Sequence, residues 1–161
     1  MTQEMIVSIA SVVIALSASA ATIWQAVLTR RHNRLSVRPH LRIDRSEVDV
    51  EGIKISVLNT GVGPAIVESF QIKVDNEVIE GNLFSRMQNA WTKLGLQQYN
   101  FEAYFPVAQE AFGVGECQIL IVPRLTKPSA QDIERIRSVV PRLTFTIGYT
   151  SIYGDQFLVE R

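Results

Sequence analysis

The chain has 161 residues, 16 basic and 16 acidic side chains, and 47% hydrophobic residues. Zero formal net charge excludes a bulk binder of duplex nucleic acid, whose footprint is strongly basic, and the apolar content excludes an acidic disordered tail. One cysteine, Cys117, and two histidines, His32 and His40, leave no internal disulfide and no set of three or four converging metal ligands, so neither metal nor cofactor is expected.

From Met5 to Leu28 the chain runs for 24 residues without a charge. A membrane helix needs about 20 such residues, and residues 5–28 are read as one transmembrane helix. A buried helix of a soluble protein is the first competitor, but a chain this short has too little core to enclose a helix apolar on all faces. A cleaved signal peptide is the second, with Ala18-Ser19-Ala20 as a small-residue cleavage site. Against it, the first four residues carry no Lys or Arg, where a signal peptide has a basic n-region. Beyond Leu28, Arg30, Arg31, Arg34, Arg38, Arg42 and Arg45 follow within 17 residues. Such a cluster marks the cytoplasmic side. The expected topology is an inner-membrane, single-pass protein with its N-terminus outside and its C-terminal part in the cytoplasm.

Ser8, Ser11, Ala15, Ala18 and Thr22 are spaced 3, 4, 3 and 4. A stripe of small residues lets membrane helices approach closely, so these five form the expected helix–helix interface of a homo-oligomer. Arg30, Arg31, Arg34 and Arg38 are a topology signal and also candidates for contact with anionic lipid or another anion.

Residues 29–38 read as a basic juxtamembrane linker, its helix running to about Leu35 and ending at Ser36-Val37-Arg38-Pro39, because Pro39 drives Arg38 toward extended backbone. Residues 39–161 read as one β domain. Leu41–Asp44 and Ile53–Leu58 alternate as half-buried strands, the second followed by turn chemistry at Asn59-Thr60-Gly61. Ile66-Val67 and Phe70–Val74 form further strand, ended by Asp75-Asn76, with Glu77–Ile79 returning. Phe84, Met87, Trp91 and Leu94 have helical spacing and predict an amphipathic helix ending at Gly95. Residues 97–115 resist assignment beyond partial burial of Phe101, Phe105 and Phe112. Gln118–Val122 is a strand stopped by Pro123. Ser129 and Asp132 form a capping-box pair at the start of a second helix, whose buried face is Ile133, Ile136 and Val140 and which Pro141 ends. Last comes a hairpin: Leu143, Phe145, Ile147 and Tyr149 share one face, Thr144, Thr146 and Thr150 the other, residues 153–156 turn, and Phe157–Val159 return. Six or seven short strands with turn signals predict a β-sandwich with two helical insertions.

An anchor with a basic stretch, Ser36-Val37-Arg38-Pro39, Leu58-Asn59-Thr60-Gly61-Val62-Gly63-Pro64-Ala65 and the run from Ile147 to Asp155 together resemble a loose group of bacterial single-pass membrane proteins of mostly unknown function. The resemblance implies a small immunoglobulin-like β domain carrying an Asn-x-Gly-x-Gly-Pro-Ala turn, and no catalytic residue.

Few residues point to chemistry. Gly61-Val62-Gly63 lacks the third glycine and the following helix of a dinucleotide loop; a tight turn served by the Asn59 side chain is the better reading. Cys117 reads as a small buried hydrophobe, and Glu102, Glu110 and Glu116 as solvated charges. Arg142, Tyr149 and Tyr153 near the last hairpin are candidates for a polar-aromatic ligand contact. The leading expectation is a non-enzymatic, membrane-anchored cytoplasmic binding or scaffolding domain with an anionic small molecule or a protein as partner. The alternative is a membrane effector of a bacterial antiviral system, gated by a cyclic-nucleotide type of small molecule.

Overall fold

The computed structural model describes residues 2–48 and 52–161, in two compact units that divide between Ser36 and Val37. The first unit is a single helix, α1 (Gln3–Ser36), none of whose residues is buried. It is long and apolar enough to cross a membrane. The hydroxyls of Ser8, Ser11, Ser17, Ser19 and Thr22 donate to carbonyls four residues back, at 2.8–2.9 Å, so these hydroxyls are satisfied inside the helix. The helix stops where the sequence predicts: Pro39 lacks the N–H a further turn needs.

The second unit holds two antiparallel sheets around one core. β1 (Leu41–Val48), β2 (Gly52–Asn59), β7 (Cys117–Arg124) and β5 (Asn100–Ala103) form one sheet, in the order β1-β2-β7-β5. β3 (Ala65–Val74), β4 (Glu77–Val78), β8 (Leu143–Thr150) and β9 (Gln156–Glu160) form the other, in the order β4-β3-β8-β9, with β6 (Ala111–Phe112) also paired to β3. Both sheets feed the core: Leu41, Ile43, Ile55 and Val57 from one, Val67, Ile72, Phe145 and Ile147 from the other, all at 1% exposure or less. Phe70 and Ile121, read as strand residues, and Trp91, read from helical spacing, are buried in it as well.

The stretches Ile66-Val67 and Phe70–Val74 are one strand. Val67 and Phe70 are both buried yet three apart, which strand parity forbids; the register against β8 shifts between Val67 and Ser69, and this bulge restores the inward face. The β3–β4 turn is a two-residue hairpin with positive φ at Asp75 (52°) and Asn76 (67°), the pattern of a type I′ turn, which matches strand twist. Pro123 does not stop β7. It lies inside the strand opposite Phe101 of β5, on the side where pairing with β2 has already ended at Ile121, so no donor is missed there.

α2 (Leu83–Lys93) is capped by Asn82, whose side chain accepts from the Ser85 N–H at 2.9 Å. It buries Met87, Ala90 and Trp91, with Leu94 following, but Phe84 is 67% exposed. The buried face predicted by the spacing of Phe84, Met87, Trp91 and Leu94 therefore begins at Met87, with Phe84 outside it. α3 (Ala130–Val139) carries the predicted capping box between Ser129 and Asp132, buries Ile136 with Ile133 half-buried, and passes into a 3-10 turn at Val140–Arg142. Residues 97–115 supply β5 and β6, with Phe101 and Phe105 half-buried and Phe112 buried.

Candidate functional site

A densely bonded place in the β domain is the segment 37–40, where the chain enters it. Asn59, at the end of β2, is fully buried. Its Oδ1 accepts from the backbone N–H of His40 (3.2 Å) and of Gly61 (3.0 Å), and its Nδ2 donates to the carbonyls of Gly63 (2.8 Å) and Phe112 (3.0 Å). One amide thus joins the leading segment, the β2–β3 loop and β6. The Val62 N–H donates to Arg38 O and the Thr60 N–H to His40 O. Glycine is required for this approach: a Cβ on Gly63 would stand 1.8 Å from the Val37 carbonyl oxygen, and one on Gly61 2.3 Å from the His40 nitrogen. The Asn-x-Gly-x-Gly turn is a clamp on residues 37–40.

The other sheet holds the same segment through aromatic rings. The Arg38 guanidinium stands 5.1 Å from the Phe157 ring centroid, Phe157 stacks on Tyr149 at 5.4 Å, and the Tyr149 hydroxyl accepts from the Leu41 N–H at 3.2 Å. Tyr149 is 3% exposed, so its ring and hydroxyl serve this ladder. Tyr153 lies in the β8–β9 turn, 46% exposed. Arg142 is at the opposite end of β8, where its guanidinium forms a two-pronged pair with Asp75, one prong at 2.8 Å (Nε to Oδ1). That pair holds the exposed Asp75 carboxyl below the usual range. The structure does not bring Arg142 together with the two tyrosines.

The arginine cluster divides. Arg30, Arg31 and Arg34 lie in the last turns of α1; Arg38 is exposed at the clamp. Arg42 pairs with Asp44 at 2.7 Å, and Arg45 donates to the Leu143 carbonyl at 2.6 Å. Partial burial, then the nearby Arg161, lowers the Arg45 pKa. These last two arginines serve the domain. The stripe residues Ser8, Ser11, Ala15, Ala18 and Thr22 are all exposed along α1.

Cys117 corrects the expectation of burial. It is exposed, on the outward face of β7 shared with the 42%-exposed Ile119, because burial of this strand begins only at Leu120. The three glutamates are each engaged: Glu102 with Arg124, Glu110 as acceptor from the Tyr104 hydroxyl and Val107 N–H, and Glu116 as acceptor from Gly113 N–H and the Gln118 amide. Burial, followed by the bond to Glu110, pushes the Tyr104 phenol well above its ordinary range. No group of His, Cys, Asp and Glu side chains able to hold a metal ion exists among the described residues.

A groove of about 340 Å³ lies between α2 and β5. Phe84, Trp91, Tyr99 and Phe101 give it aromatic surface, and Gln88, Thr92, Gln97 and Asn100 give it neutral polar groups. The polar atoms of its inner rings are occupied: Trp91 Nε1 donates to Tyr99 O (2.8 Å) and the Tyr99 hydroxyl to Asp132 (2.6 Å). No charged side chain lines it, so it suits an uncharged ligand. Sequence reading missed this groove; its signal was the pair of aromatics Tyr99 and Phe101 in an otherwise unassigned stretch that follows Trp91.

No protein-family model matches the chain, and comparison with curated proteins and with solved structures finds no match.

Proposed function

We propose that this protein is a membrane-anchored, non-enzymatic binding or scaffolding module. α1 spans the inner membrane with its N-terminus outside, and the β domain, an immunoglobulin-like sandwich, lies in the cytoplasm. The observation that carries the reading is the clamp. An apolar helix of membrane length leads without a break to residues 37–40, and those residues are bonded into both sheets of the domain. The chain that enters the domain is thus part of its fold, and it follows directly on an apolar helix of membrane length. A domain so joined to an anchor is expected to work at a membrane, displaying a surface there. The cross-sheet connections β2–β3 and β7–β8 support the immunoglobulin-like assignment. Arg30, Arg31 and Arg34 support the orientation, since basic residues flank the cytoplasmic end of a span. Homo-oligomerisation through Ser8, Ser11, Ala15, Ala18 and Thr22 rests on the close approach that small side chains permit. The α2–β5 groove is the surface proposed for a partner, an uncharged segment of a protein.

The test combines extraction and crosslinking of the full chain in bacterial membranes. It should resist alkaline carbonate and give crosslinked oligomers in mild detergent. Replacing Ala15 and Ala18 together by Ile keeps the helix apolar and should abolish the oligomer. An oligomer that persists unchanged removes the stripe as interface, and extraction by carbonate removes the anchor.

A further inference from the structure

The end of the β domain at which the chain arrives carries a second pattern. Leu41, Asn59, Ala65, Phe112, Cys117, Thr150 and Gln156 are strand termini that all lie at this end, as their pairings require. Three loops therefore share it with residues 37–40: β2–β3, β6–β7 and β8–β9. Each loop raises large apolar side chains into solvent. Val62 is 62% exposed, Val114 62%, Ile152 52% and Tyr153 46%. A lone exposed hydrophobe is ordinary, but one or more on every loop of one end is a patterned surface.

Several backbone groups of these loops are satisfied from within. Gly115 N–H donates to Asn59 O and Glu116 N–H to Gly113 O. Ser151 Oγ accepts from the N–H groups of Tyr153 and Asp155, and Gly154 N–H donates to Ser151 O. The carboxylates of Glu116 and Asp155 at this end are hydrogen-bonded within their own loops: Glu116, exposed, accepts from Gly113 N–H at 2.8 Å, and Asp155, half-buried, from the Ser151 hydroxyl at 3.2 Å. A loop whose polar groups are already bonded loses little when water is withdrawn from its tip. Arg38, exposed at the same end, adds a cation, and Tyr153 an amphipathic ring of the kind that favours headgroup depth.

Connectivity names the occupant. Eight residues, 29–36, separate Leu28, the last of the uncharged stretch, from Val37. Nine steps of helical rise allow Val37 no more than about 13 Å from the hydrocarbon edge, close to a headgroup layer about 5–8 Å deep. We propose that Val62, Val114, Ile152 and Tyr153, with Arg38, form a docking surface for the phospholipid headgroup layer. The inference rests on the spanning reading of α1. The membrane then holds the domain at two places, through α1 and through its loop tips, and the domain presents its opposite end, with α3, away from the lipid.

The test uses the full chain with Cys117→Ser, carrying one environment-sensitive fluorophore on Val62→Cys, Val114→Cys or Ile152→Cys. Glu134→Cys on α3 is the distant control. The protein is reconstituted at one chain per nanodisc of phosphatidylcholine and phosphatidylglycerol, with and without nitroxide-headgroup lipid. Docking predicts a blue shift and loss of fluorescence to the nitroxide at the three tips and neither at position 134. Ile152→Glu should reduce the quenching read at position 62. Equal quenching at tips and control overturns the proposal. So does a blue shift that appears only with several chains per disc, which would make the surface a contact between copies. Carbonate extraction from vesicles of the same lipids separates the two failures: an extracted chain overturns the spanning reading and docking together, whereas an integrated but unquenched chain overturns docking alone.

Discussion

Asn59 spends both lone-pair directions and both amide hydrogens on backbone groups of three different segments, with no water exposure. Asn59→Ala leaves the N–H of His40 and of Gly61 and the Gly63 and Phe112 carbonyls short of that partner, at a cost on the order of 3 kcal/mol. The urea midpoint of the domain should fall accordingly, and protease should cut at residues 37–40; an unchanged midpoint would show that the clamp contributes nothing. Asn59→Asp should not rescue, because a carboxylate oxygen would face two carbonyls. Asp132 offers a pH test. Its bond from the Tyr99 hydroxyl, then those from the Ser129 side chain and backbone, hold its pKa down to about 2. A carboxyl whose folded pKa is lowered stabilises the fold above its unfolded value, about 3.9 for Asp, and that stabilisation disappears as pH falls toward the folded value. Melting temperatures should drop between about pH 4 and pH 2, and Asp132→Asn should show a smaller drop over the same window.

The elements differ in how much of each is needed. β8 is buried along nearly its whole length, and Phe145 is enclosed there, stacked on Phe70 at a centroid distance of 5.8 Å. Phe145→Ala should cost about 3–5 kcal/mol, a large fraction of the roughly 5–15 kcal/mol typical of a domain and enough to unfold a marginal one. α2 divides its aromatics between two environments. Trp91 is 3% exposed and its indole N–H is bonded, whereas Phe84 is 67% exposed. Trp91→Ala should cost about 3–5 kcal/mol, while Phe84→Ser should stay within about 0.5 kcal/mol in chemical denaturation. If Phe84→Ser proved as costly as Trp91→Ala, the first turn of α2 would have to pack inward. At the start of α3, Ser129→Ala removes one half of the capping box and should cost about 1 kcal/mol.

At the scale of the whole molecule, the core lies entirely within residues 37–161, and α1 adds nothing to it. A fragment starting at Val37 should therefore be soluble and β-rich by circular dichroism and melt cooperatively; aggregation on removal of α1 would mean that the helix contributes to folding. Reporter fusions at Arg161 in the full chain should behave as cytoplasmic. Periplasmic activity there would reverse the proposed orientation. Deleting residues 29–31 shortens α1 by about 4.5 Å and removes two of the six arginines, so it tests spacing and charge together. Replacing Arg30 and Arg31 by Gln separates the charge contribution.

What the sequence by itself determined are features written in neighbouring residues. The length of the apolar helix follows from a run of uncharged residues, the capping box from Ser129 and Asp132 three apart, the hairpin turn from Asp75-Asn76, and the inward faces of β2 and β8 from alternation. Each is a local rule, decided within a few residues of backbone. Tertiary structure decided what depends on residues brought from far apart. Asn59 reads as a turn residue locally, yet one of its partners lies 53 residues away, and Tyr149 meets Leu41 across 108. Arg38 and Arg45 look alike in a basic run; one stands over an aromatic ring and the other bonds a carbonyl of β8 only because the two sheets close on each other. Phe84 fits a buried pattern by spacing and Cys117 by its place at the start of an apolar strand, yet both are exposed among the described residues. Periodicity tells which face of an element is apolar, but only packing against the rest of the chain decides how far that face is covered.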